Sequence, residues 1–179
     1  ILTMKYNVGL FSNPYPEKEA KAQFGKPEYK DYAYDAAAEA MTLLKNTKNI
    51  LPLKPGLKLL VAGPSAQSKA ALNGAWSYTW QGKDEKWYPE SEMTILEAFQ
   101  QKLGSENVIT TSGQGYDNPA NLDVRALRDA AQNVDVVVLC LGENAYAESP
   151  GNIFALDMPT EQKELIRAAK SSGKPVIVV

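Results

Sequence analysis

VDVVVLCLG, residues 134–142, is the most strand-like stretch of the chain. Its β-branched and apolar residues run almost without a polar break, the pattern of a strand buried on both faces in a parallel sheet. The run is far shorter than the roughly 20 residues that cross a bilayer and it contains Asp135, so no membrane span is expected. Downstream, TEQKELIRAAKSSG (160–173) reads as a helix: Thr160 is placed to cap it, Glu161 and Glu164 complement its positive end, and Gly173 stops it. VIVV (176–179) then reads as another strand. Upstream, residues 122–132 read as a helix and NVITTSG (107–113) as a strand. MTILEAFQQKLG (93–104) reads as a helix from Thr94 to a Gly104 cap, and LKLLVAGPSA (57–66) as a strand ending at Gly63 and Pro64. Four short apolar strands alternating with helices predict an α/β fold, a three-layer sandwich with a mostly parallel sheet covered by helices on both faces. Ligands bind such sheets outside the carboxyl ends of the strands, which directs attention to the loops after VAG, TTSG and LCLG.

The N-terminal part has a different character. ILTMKYNVGL (1–10) reads as helix, and LFSNPYPEKE, with Asn13, Pro14 and Pro16, reads as a linker. From Lys30, YAYDAAAEAMTLLKN predicts a helix to about Asn46, with Ala37, Met41 and Leu44 on one face. The chain opens as helix without an initiator methionine and closes on an apolar strand, so a piece of a longer polypeptide is expected.

Composition narrows the chemistry. The 179 residues are 44% hydrophobic and 22% charged with a formal charge of −2, and the lysines are scattered, so no nucleic-acid footprint is expected. The single cysteine, Cys140, lies inside the apolar run and reads as a buried inert thiol. With no histidine, neither a serine-histidine triad nor a zinc site can be built from this chain alone, and no metal is expected. There is no G-x-G-x-x-G and no G-x-x-x-x-G-K-[ST], so no nucleotide cofactor is expected. What chemistry there is must rest on carboxylates.

Two of the loops carry candidates. NGAWSYTWQGKDEKWYPE (73–90) holds all three tryptophans, Trp76, Trp80 and Trp87, in a polar, glycine-containing segment without helical or strand period. Indole faces suit the apolar C–H face of a pyranose; core plugs or interdomain packing are the plainer alternatives. LGENAYAESPGNIFALDMP (141–159) holds Glu143 and Glu148. A carboxyl there is a candidate general acid if a closed, partly apolar cleft raises its pKa, and a solvated surface acid otherwise.

The ordered motifs FSNPYP, TLLKN, LPL, VAGPSA, GAWSYTWQG, TILEAF, DVVVLCLGENAYAE and ALDMP together resemble glycoside hydrolase family 3, in the branch of β-glucosidases and exo-acting β-glucan glucohydrolases. The resemblance implies residues 1–15 as the end of a (β/α) barrel domain, 16–29 as an interdomain linker and 30–179 as an α/β sandwich domain, truncated at its C-terminal end. It implies a retaining β-glycosidase acting on terminal non-reducing β-D-glucosyl residues of oligosaccharides or aryl β-glucosides, in a periplasmic or extracellular setting. Carried onto this sequence, the acid/base is Glu148, which closes GENAYAE. Glu143 becomes a structural residue that holds the loop's backbone amides, and Trp80 a wall for the sugar on the leaving-group side, with weaker claims for Trp76 and Trp87. The family's nucleophilic aspartate belongs to the barrel and has no counterpart in these residues. The competing expectation is a non-catalytic, flavodoxin-like module holding a small ligand or a partner at its switch point.

Overall fold

A computed structural model describes residues 1–111, 116 and 122–179, and these divide into two units, Ile1–Asn49 and Ile50–Val179. The first unit contains helices α1 (Leu2–Asn7) and α2 (Pro27–Ala40), with a 3-10 turn at Lys18–Gln23 between them. Helix α2 begins three residues before the expected Lys30 because Pro27, at its first turn, already has the φ a helix needs. It stops at Ala40, not Asn46. Met41 turns extended, with φ −66° and ψ 120°, and the Thr42 hydroxyl donates to the Ala40 carbonyl at 3.4 Å, a local bond that competes with further helix. Met41 and Leu44 therefore do not share a helix face with Ala37.

The second unit is the α/β domain. Its elements are β1 (Leu59–Ala62), α3 (Lys69–Asn73), α4 (Ile95–Leu103), β2 (Val108–Ile109), α5 (Val124–Ala131), β3 (Val136–Leu139), α6 (Thr160–Ser171) and β4 (Val176–Val178). The four strands form one sheet in the order β2-β1-β3-β4, every pair parallel. The central pair is in register from Leu59 opposite Val136 to Ala62 opposite Leu139. Alternation along these strands divides the core. Leu60, Ala62, Val137 and Leu139 pack against Leu127 and Ala131 of α5 and Leu165, Ala168 and Ala169 of α6. Leu59, Val61, Val136 and Val138 face the other way, onto Leu96 of α4, with Phe99 and Leu103 at its margin. The three-layer expectation thus holds, with the central strands β1 and β3 buried on both faces and the edge strands β2 and β4 partly exposed. Cys140 is buried, and burial pushes its thiol up to about 12.

Local signals were realised unevenly. Thr94 caps α4 in a reciprocal box: its hydroxyl accepts from the Glu97 amide at 3.3 Å while the Glu97 carboxylate accepts from the Thr94 amide at 2.7 Å. The bond from the Thr94 amide and a second one that the Thr94 hydroxyl donates to the same carboxylate at 2.9 Å hold the Glu97 carboxyl below the usual glutamate range. Replacing Thr94 with Ala is expected to lower stability by about 1 kcal/mol. A depressed carboxyl contributes stability that is present above its unfolded pKa and lost as pH falls through the folded one. The cost of Thr94→Ala, followed by thermal unfolding, should therefore shrink below about pH 4, the foot of the ordinary glutamate range of about 4.3.

Thr160, by contrast, does not cap α6. The helix starts one residue early, with Pro159 in the capping position at φ −51° and ψ 140°, and Thr160 becomes its first helical residue. Helix α3 was not anticipated, since five residues carry too little period to read. Of the expected strand 107–113, Val108–Ile109 pair with β1; positions 112–113, and most of the loop that follows, lie outside the described residues.

Candidate active-site loops

In this strand order the sequence reverses direction across the sheet between β1 and β3, so the switch point lies at their carboxyl ends. Chain geometry draws the two strand ends tightly together there. Cys140 donates its amide to the Ala62 carbonyl at 2.8 Å, and Ser65 donates to the Cys140 carbonyl at 3.1 Å. Gly63 sits between these bonds with φ +106°, and a Cβ on it would lie 2.3 Å from the Cys140 carbonyl oxygen. The glutamate loop leaves directly from this point, and the segment that leads through α3 to the tryptophan loop starts here as well.

The tryptophan loop is braced against the start of α3. Glu85 accepts from the Ser68 hydroxyl at 2.6 Å and from the amides of Lys69 and Ala70 at 3.1 and 3.2 Å, which ties residue 85 to the start of α3. The segment 74–82 closes on itself: the Trp76 amide donates to the Trp80 carbonyl at 3.1 Å, and the buried Tyr88 hydroxyl donates to the Gly82 carbonyl at 2.6 Å. Gly82 lies so close to the Gly74 carbonyl that a Cβ would fall 2.1 Å from its oxygen. Trp80 is 48% exposed, Trp76 70% and Trp87 54%, so none is a plug in this domain's core. The rings of Trp76 and Trp80 lie 6.5 Å apart at 48°, while Trp87 stands under the Lys86 ammonium at 5.5 Å.

The part of the glutamate loop that leads to Glu148, residues 142–147, is fixed at both ends by glutamine side chains. At its start, Gln162 of α6, only 3% exposed, accepts from the Gly142 amide at 3.0 Å and donates to the Gly142 carbonyl at 2.8 Å. At its far end, Gln81 accepts from the Ala147 amide at 3.0 Å and donates to the Ala147 carbonyl at 3.2 Å. Glu143 was expected to hold the loop's backbone amides, but among the described residues no backbone amide donates to it. Its carboxylate accepts from the Tyr146 hydroxyl at 2.6 Å, which raises the Tyr146 pKa. The Tyr146 ring packs over Gly151, so close that a Cβ there would fall 2.3 Å from the ring. The loop thus folds back on itself around Glu148.

Glu148 is exposed and has φ +56° and ψ −139°, a conformation that L side chains rarely adopt. Among the described residues the non-glycine positions with positive φ are Asn49, Trp76, Tyr78 and Glu148, and three of these four lie in the two loops. Backbone strain of this kind, of order 1–3 kcal/mol per residue, persists only where surrounding structure over-determines it. The clasps of Gln81 and Gln162 supply such determination. Neither glutamine was singled out by sequence. Gln81, however, sits beside Trp80 and its amide grips the residue before Glu148, so the fold brings the two expected site residues to one place through their neighbours. A cavity of about 230 Å³ opens beside the same loop, lined by Pro64, Tyr116, Glu143, Asn144, Glu161 and Gln162 among others; it touches Glu143 and not Glu148.

Comparison with known proteins agrees with this architecture. The chain is 37% identical, over its whole length, to the lysosomal beta glucosidase of Dictyostelium discoideum, of which it covers 23%. It is 28% identical, again over its whole length, to the periplasmic beta-glucosidase of Salmonella typhimurium, of which it covers 26%. Among solved structures, beta-glucosidase from Listeria innocua in complex with gluconolactone superposes with a TM-score of 0.79 and 29% identity over 99% of this chain and 23% of that one. The chain thus spans about a quarter of the length of these relatives. Residues 41–179, which hold the whole sheet and both loops, match the glycosyl hydrolase family 3 C-terminal domain, and the chain belongs to that family.

Proposed function

We propose that this chain is part of a retaining β-glucosidase and that its α/β domain presents Glu148 as the acid/base at a sugar site walled by Trp80. The observation that carries the reading is the strained, exposed Glu148 in a loop clamped at Gly142 and Ala147, one residue from the clasp that joins it to the tryptophan loop. A carboxylate has to be held rigidly to protonate a departing glycosidic oxygen. The other carboxyl comes from a barrel domain of the same longer polypeptide, for which residues 1–15 supply the end and 16–29 the linker, and residues 30–179 belong to the sandwich domain. Retention requires the two carboxyls about 5–5.5 Å apart. In the first half of the reaction the nucleophile attacks the anomeric carbon while Glu148 gives its proton to the leaving oxygen. In the second, Glu148 takes a proton from water as that water attacks the same carbon and frees the nucleophile.

The strand order also suits the competing small-ligand module, but the family match and the paired loops favour the glycosidase. The named lysosomal and periplasmic relatives support a setting outside the cytoplasm. No described helix is long and apolar enough to cross a membrane.

The test is release of glucose from cellobiose and laminaribiose by the full-length polypeptide. Absence of activity on these and on aryl β-glucosides would remove the reading. Within it, Trp80→Ala is expected to raise KM for cellobiose roughly five- to tenfold, through loss of a stacking contact worth about 1 kcal/mol or more, with less effect on small aryl glucosides. An unaltered KM for disaccharides would make Trp80 a packing residue.

A further inference from the structure

We infer that Gln81 is a positioning residue that holds the acid/base in its reactive conformation, an inference that rests on the reading of Glu148 given above. Both polar groups of the Ala147 backbone are taken up by the one Gln81 amide, at 3.0 and 3.2 Å, so the peptide planes on either side of Ala147 are fixed as they would be by a neighbouring strand. The next residue is Glu148, with its φ of +56°. A glutamate released from that constraint relaxes toward negative φ, because its Cβ clashes less there, and the relaxation swings the carboxyl away from where it stood. Gln81 opposes the relaxation from outside the loop.

Its own anchor is the tryptophan loop. Residue 81 is flanked by Trp80, whose carbonyl accepts from Trp76, and by Gly82, whose amide donates to the Thr79 hydroxyl at 3.1 Å and whose carbonyl accepts from Tyr88. Gln81 therefore converts the rigidity of the segment that carries Trp80 into the placement of Glu148. Gln162 performs the corresponding task for Gly142, six residues from Glu148, and Gln81 is the clasp that bears directly on the acid. Ala147 is itself 7% exposed, so an unclasped amide and carbonyl there would have little water to turn to.

The test separates positioning from mere folding by leaving-group dependence. In the full-length polypeptide, kcat/KM reports the glycosylation step, which needs proton donation for cellobiose but hardly for 2,4-dinitrophenyl β-glucoside. Gln81→Ala is expected to lower kcat/KM for cellobiose about a hundredfold, the scale of an ångström-level misplacement. It should leave 2,4-dinitrophenyl β-glucoside within a small factor of wild type and KM for cellobiose little changed. Gln81→Glu keeps the length and volume of the side chain, and so keeps the test open if Gln81→Ala folds poorly. It loses the donor to the Ala147 carbonyl until the new carboxyl is protonated, so its activity relative to wild type should recover as pH falls. Equal losses on both substrates, or a Gln81→Glu ratio independent of pH, overturns the inference. Glu148→Gln, run beside them, separates the two levels. A steep leaving-group dependence for Glu148→Gln with none for Gln81 variants removes only the role of Gln81, whereas its absence for Glu148→Gln removes both.

Discussion

Glu148→Gln in the full-length polypeptide is expected to lower kcat/KM for cellobiose by about 10² to 10⁴-fold, the usual contribution of a positioned general acid. An amide of the same shape keeps the loop's geometry and removes only the transferable proton. The loss should shrink as the leaving group becomes more acidic, since a dinitrophenolate departs without help. Hydrolysis of the glycosyl-enzyme would then become slow, for the same residue must deprotonate water. Azide needs no general base, so adding it to Glu148→Ala should restore turnover of the activated substrate and yield a β-glucosyl azide, the stereochemistry of two successive displacements. Glu143→Gln is the matched control. Glu143 is engaged by the Tyr146 hydroxyl, and its replacement should weaken that contact with little dependence on leaving group. If Glu143→Gln shows the steep dependence and azide rescue, and Glu148→Gln does not, the acid/base is Glu143.

The contrast between these two glutamates marks how far the residues could be read before the fold was seen. The sheet was legible because VVVLCL (136–141) and LLVA (59–62) are apolar runs without a polar break, and such runs have few homes other than a strand covered on both faces. The candidate loops were legible by consequence, since strand ends at a switch point gather the loops that follow them. What those loops do with their side chains was not. Gln81 and Ala147 are 66 positions apart, and a side-chain-to-backbone clasp between them leaves no period, charge pattern or cap signature to detect. Among the described residues, the loop's amides at Gly142 and Ala147 are held by Gln162 and Gln81, the task that had been assigned to Glu143. Helix ends failed for a related reason: Thr160 has the chemistry of a cap, but it is already the first helical residue, and Pro159, whose φ is preset, stands in the capping position.

The second large effect is expected at Gly63, where Gly63→Ala should destabilise the chain by about 3 kcal/mol or more, combining positive-φ strain with an unrelieved backbone clash. The added Cβ would meet the Cys140 oxygen at 2.3 Å, its carbon at 3.0 Å and its nitrogen at 3.1 Å. None of these atoms is free to retreat. The Cys140 amide is bound to Ala62 and its carbonyl to the Ser65 amide, while β1 and β3 are in register up to Ala62 and Leu139 and buried on both faces. Separation of the two strand ends would break those bonds and spread the origins of both loops, so catalytic loss should exceed what the unfolded fraction alone explains. For a chain of this size the melting temperature should fall by roughly 6–12 °C. The obstruction is backbone, so trimming the neighbouring side chain gives no relief, and the cost of Gly63→Ala should persist in a Cys140→Ala background. An unchanged melting temperature, or rescue by Cys140→Ala, would mean that the strand ends are held by side-chain packing and have room to part, and the tight joint at the switch point would no longer account for how the two loops are brought together.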